Sequence, residues 1–212
     1  KKMSKFNSNF VPEVRILFSD LLYYNESQIL AKNYKKHVKP IDFCNNRIKE
    51  YRDAWEPKQK TILLGMQDIY KLNFYRPVID SIVAPFFAPM SIPIILNFRS
   101  EPDAFIDILT HELFHNLFND NHKVNYLTRH NLLNAWKDLF GKDIEPKVLV
   151  HIMVHAGLKA IYLDVLNEPY RLERDVSECQ QWPAYKAAWD YVEQNGYREI
   201  NHTIRNLYQK FS

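Results

Sequence analysis

Glycine is scarce in this chain, at 4 of 212 residues. That shortage argues against a sheet-rich fold with many tight turns, and against a glycine-rich loop that would cradle phosphate. Cysteine is scarcer still. Cys44 and Cys179 lie far apart and match no CxxC pattern, so they suit a reducing compartment or, at most, a single disulfide. No apolar run approaches the roughly 18 residues of a membrane span. The start, Lys1-Lys2-Met3-Ser4, leads into polar residues rather than an apolar signal core. Charge of one sign is lacking too: the net charge is +3, too little to argue nucleic-acid binding. A soluble, cytoplasmic protein that does not engage a membrane is the simplest expectation, although an exported protein with its leader removed would read the same.

What is present is apolar bulk. Hydrophobic residues make up 46% and aromatics 14%, enough for a substantial core in one compact domain or a core with a helical arm. Residues 1–72 read as a basic, helical N-terminal segment packed on the core, with residues 73–212 as the core. Lys32, Lys35, Lys36 and Lys39 concentrate early, as a solvated helix surface or as an arm for an acidic partner. Residues 12–72 read mostly as helix. One stretch runs from about Asn45 to Trp55, and Pro57 opens another.

The texture changes near Asn73. Val78 to Ala84 is short and β-branched, and Ser91 to Phe98 (SIPIILNF) is also strand-like. Pro93 inside the second pushes it toward a sheet edge, because proline cannot donate to the ladder. Helix resumes after Ser100, where Phe105, Ile108, Leu109, Leu113, Phe114 and Leu117 recur at helical spacing. A second apolar helix spans about Pro146 to Leu166. Further helices follow near 169–178 and 183–194, the latter stopped by Gly196, and an amphipathic one carries Ile200, Ile204, Leu207 and Phe211.

Inside the first of these later helices lies Thr110-His111-Glu112-Leu113-Phe114-His115. Positions i and i+4 project from one helical face about a turn apart, so His111 and His115 can share one metal ion. Glu112 points to the side, where it can reach a water without ligating the metal. The alternative is a pair of solvated histidines on an amphipathic helix.

With this motif the chain resembles the zincin metallopeptidases over about residues 77–166. The resemblance implies a mainly helical α+β zincin-like fold, with a short sheet beside the active-site helix and an edge strand able to hold an extended peptide. It also implies one catalytic Zn2+ per chain, Glu112 as general base and then proton donor, and hydrolysis of a peptide or protein substrate.

The third ligand separates the branches of that group. The metzincin pattern is not met, because Phe118 stands where its glycine belongs and His122 is one place late. SprT-like proteases place a third histidine further on, where His130 stands, but Asn131 follows it instead of glycine. Glu168, before Pro169, reads as a helix cap rather than the gluzincin glutamate. His151 and His155 are the stronger candidates. They share a face of the second apolar helix at i and i+4, and a buried histidine needs a partner for its ring nitrogens. The layout is gluzincin-like with histidine in place of glutamate, His151 as ligand or else His155, and the other in support. The stretch HAGLKAIYLDVLNEP is similar to one in uncharacterised prokaryotic HExxH proteins. Tyr162, Tyr126 and Arg171 are weaker candidates for assisting roles. Two other classes share these residues: a non-peptidase zinc hydrolase, and a non-catalytic interaction protein whose helices a metal holds together.

Overall fold

The computed structural model describes residues 10–34, 41–84, 87–124 and 129–210, so Lys35, Lys36 and Lys39 lie outside the described part. Helix dominates at 71%, beside one mixed sheet of four strands. This is the mainly helical α+β class expected. In chain order the elements are β1 (Glu13–Phe18), α1 (Asp20–Tyr34), α2 (Ile41–Tyr70), β2 (Val78–Val83), β3 (Met90–Ser91), β4 (Ile94–Leu96), α3 (Pro102–Val124), α4 (Arg129–Phe140) and α5 (Pro146–Ala160). A π-helical turn, Ile161–Val165, prolongs α5 and is followed by α6 (Pro169–Cys179), α7 (Pro183–Asn195) and α8 (Tyr197–Lys210). The chain divides into two compact units. One draws on Pro12–Lys60 and Arg76–Leu113, the other on Thr61–Tyr75 and Phe114–Ser212 with the start of the chain.

The first unit holds the sheet, in the order β1-β2-β4-β3. The first two pairings are parallel and β3 runs antiparallel to β4 at the edge. Reading residues 12–72 as mostly helix overlooks β1. Its alternation of exposed Glu13 and Arg15 with buried Val14 and Ile16 is a period-two pattern. Register is marked on the exposed face, where Arg15 donates to both carboxylate oxygens of Asp80, its partner across the ladder, at 2.7 and 3.0 Å.

The SIPIILNF segment differs from expectation as well. It is not one edge strand: Ser91 ends β3, Ile92 and Pro93 form a turn, and Ile94–Leu96 is the inner strand β4. Proline, without an N–H to give the ladder, goes to the turn, and two-residue β3 takes the edge. Pro57 also behaves unlike the expectation, since α2 is continuous through it. The residue is exposed, so the carbonyl that loses its amide partner can be hydrated. Tyr51 of α2 stacks on Phe105 of α3 at 4.0 Å, which fixes the start of α3 in this unit.

The second unit is helical, with α5 packed against α4, α7 and α8. The stretch Pro146–Val165 is long and apolar enough to cross a membrane by length and composition, which the reading of short apolar runs missed. Yet 72% of its most apolar window is buried inside the fold, as a core helix requires. Gly157 allows the close approach on which this packing depends. A Cβ there would fall 2.7 Å from Phe114 Cζ and 2.9 Å from Tyr70 Oη. Tyr70 Oη lies 2.7 Å from both the Met153 carbonyl and Asn201 Oδ1, and Asn201 Nδ2 donates to the Ala156 carbonyl at 3.0 Å. α5 is thus tied by polar bonds as well as by apolar burial. Cys44 and Cys179 are both free, buried thiols.

Candidate metal centre

The segment His111-Glu112-Leu113-Phe114-His115 occupies the middle of α3. Leu109, Leu113, Phe114 and Leu117 are fully buried around it, so apolar packing fixes the rotation of the helix and the direction of its histidines. His111 and His115 belong to one unbroken helix. From α5 comes His151, whose ring centroid is 5.3 Å from that of His115. One ring nitrogen from each of His111, His115 and His151 lies within 4.8 Å of the others. His111 and His151 are buried, and His115 is nearly so.

The ring of His151 is held from behind. Its Nδ1 lies 2.6 Å from the Lys147 carbonyl, one turn earlier on α5. A carbonyl only accepts, so Nδ1 carries the hydrogen and Nε2 is the ring nitrogen with the lone pair. This is the backbone support typical of metal-binding histidines. Tyr185 of α7 lies 4.1 Å from the same ring. His155 occupies a different setting. It is fully buried, stacked on Trp189 at 4.4 Å and 12°, with its ring centroid 5.7 Å from that of His151. It is not part of the convergent group.

Glu112 is 6% exposed and accepts a hydrogen bond from Ser91 Oγ, on edge strand β3, at 2.6 Å. Burial pushes its carboxyl up from 4.5 to about 7, and the Ser91 bond opposes that rise. The histidines move the other way. Burial, followed by the nearby His151, lowers His115 to about 3. Burial lowers His151 to about 4, against the opposing hydrogen bond to Lys147. His155 is lowered well below its ordinary range, first by burial and then by His151 and His115. These imidazoles are therefore neutral, which is the form a metal requires.

The shifts predict a pH dependence of the metal-free fold. Unfolded, these histidines titrate near 6.5, while folded His115 and His151 titrate near 3 and 4. Between those limits the unfolded chain binds more protons, so stability is full above 6.5 and falls as the pH drops toward 4. Glu112 works in the opposite sense: its contribution is present below 4.5 and is lost as the pH rises through 7. One raised group offsets only part of three lowered ones. Thermal unfolding of chelator-treated protein should therefore show Tm decreasing from about pH 7 to about pH 5. A Tm that stays level or rises would contradict neutral, buried histidines.

The remaining candidates are placed elsewhere in their interactions. Tyr162 donates to Asp175 at 3.4 Å. Arg171 is fully buried and pairs with Glu168. Glu168 does stand at the N-cap position of α6, but its side chain makes no capping bond. The side chains of His122, Tyr126 and His130 lie outside the described residues. Sequence reasoning did not single out Ser91, Lys147, Tyr185 or Trp189. Only three-dimensional placement marks them, since a serine in a short strand and a backbone carbonyl leave no pattern to read. No protein-family model matches the chain, and comparison with curated proteins and with solved structures likewise gives no match.

Proposed function

We propose that this protein is a zinc-dependent metallopeptidase with a zincin-like, gluzincin-type layout, in which His111, His115 and His151 would hold one Zn2+. The carrying observation is the convergence within 4.8 Å of three imidazole nitrogens, from buried His111 and His151 and part-buried His115, with a buried carboxylate one residue from the first. The donor set fits the metal: three neutral nitrogen ligands suit zinc, and among the described residues no fourth joins them, as in catalytic sites that keep a position open. Bound there, zinc would supply Lewis acidity, polarising a carbonyl and acidifying water.

The chain's own residues would do the rest. Glu112 stands beside the ligands to take a proton from the attacking water and return it to the leaving amine. Lys147 would keep the His151 ring oriented throughout.

A second observation favours a peptide over a small substrate. Edge strand β3 carries Ser91, which touches Glu112, and is flanked by exposed Met90 and Ile92. No charged residue occurs between Asp80 and Arg99. Edge strands are ordinarily guarded by charge, and an unguarded one beside a reactive site suits an extended peptide added as a further strand. Among the described residues the group offers three ligands, which favours an enzyme over a metal-stabilised interaction protein, which would use four protein ligands.

Unfolded casein supplies the test. Zinc-loaded protein is expected to cut it, a chelator to stop the cutting, and added zinc to restore it, with fragments read by mass spectrometry. Uncut casein in the presence of zinc-loaded protein would contradict a peptidase.

A further inference from the structure

We propose that Ser91 is a positioning residue for the general base: its hydroxyl clamps one oxygen of Glu112, so the strand that receives the peptide also aligns the carboxylate. The inference rests on the peptidase reading and adds to it a residue outside the HExxH motif.

The geometry is specific. Ser91 Oγ donates to Glu112 Oε2 at 2.6 Å, a short, charge-assisted bond. The bond joins residues 21 apart in sequence, so it is not a local accident of one turn. Ser91 is also held from the other side. It pairs with Ile94 of β4, and β4 is in register with β2 from Ser81 to Val83. The oxygen's position therefore follows from the ladder rather than from a free loop. Serine has one proton to donate, and it goes to Oε2.

Alignment is worth having here. A glutamate side chain has several rotatable bonds, and even a small misplacement of a reacting group costs rate steeply. Because Ser91 lies between exposed Met90 and Ile92, a peptide pressed onto β3 would bear on the clamp itself. A buried carboxylate needs some hydrogen-bond partner in any case, so a purely structural role must be separated from positioning.

Two measurements on the full chain do this. In metal-free protein labelled at glutamate carboxyl carbons, the Glu112 NMR resonance is assigned by its loss in Glu112→Gln. Ser91→Ala should shift that resonance, and Ser91→Thr, which keeps the hydroxyl, should leave it near the wild-type position. In zinc-loaded protein, with a quenched peptide copied from a casein cut site, Ser91→Ala should lower kcat roughly 10- to 100-fold. KM and zinc content should stay constant, and Ser91→Thr should recover most of the rate. An unshifted resonance, or a Ser91→Ala enzyme with wild-type kcat, overturns the clamp while leaving the peptidase reading intact. Loss appearing only as instability or lost zinc assigns Ser91 a structural role and overturns it too. Wild-type protein that carries zinc and cuts nothing removes the peptidase reading and the clamp's purpose together.

Discussion

Glu112→Gln is expected to retain zinc and fold while losing roughly a hundredfold to ten-thousandfold in kcat, the usual worth of a positioned general base. Glutamine matches glutamate in size and can still accept from Ser91 through its carbonyl oxygen, so the 2.6 Å bond need not be lost. What disappears is the capacity to take a proton. Burial at this position raises the carboxyl to about 7, so the native side chain pays a desolvation cost that an amide largely avoids. The variant should therefore unfold at least as high in temperature as wild type at neutral pH. Casein cleavage with matched zinc loading is the measurement. Equal rates in mutant and wild type would refute Glu112 as base.

The second large effect separates the two histidines of α5. His151→Ala removes a member of the convergent group and should weaken zinc binding by more than about 100-fold, beyond the 10–100-fold typical of supporting residues. His155→Ala should act differently. It deletes a fully buried ring stacked at 4.4 Å on Trp189, leaving a cavity whose cost appears chiefly in stability. Zinc titration and thermal unfolding of both variants, in parallel, decide the matter. If His155→Ala loses zinc and His151→Ala keeps it, the assignment made here is reversed.

The contrast between these two residues shows how far sequence alone reaches. The HExxH helix was legible because metal chemistry imposes i,i+4 spacing on α3, and the burial of α5 was legible because its composition is apolar nearly all round. Both i,i+4 histidines of α5 look alike in sequence. What distinguishes them is external: Lys147 offers a carbonyl to one ring, while Trp189 of α7 covers the other. Such partners depend on how helices meet, which periodicity does not encode. The sheet shows the same limit in reverse. Alternation in Glu13–Phe18 was present in the sequence, but a helical reading of its surroundings masked it. Pro93 read as pushing one continuous strand toward a sheet edge, yet it lies in the turn between β3 and β4 and the edge position fell to β3, because a two-residue strand is too short to leave a pattern. Ser91 was invisible for that reason.

Zinc K-edge X-ray absorption on the wild-type protein, reconstituted with one equivalent of zinc, tests the central claim most directly. Three imidazole nitrogens and one light, non-protein scatterer at about 2.0–2.1 Å are predicted, with the signal changed by His111→Ala, His115→Ala and His151→Ala. Failure to take up zinc, or a spectrum with sulfur at about 2.3 Å or with four imidazoles, would contradict it.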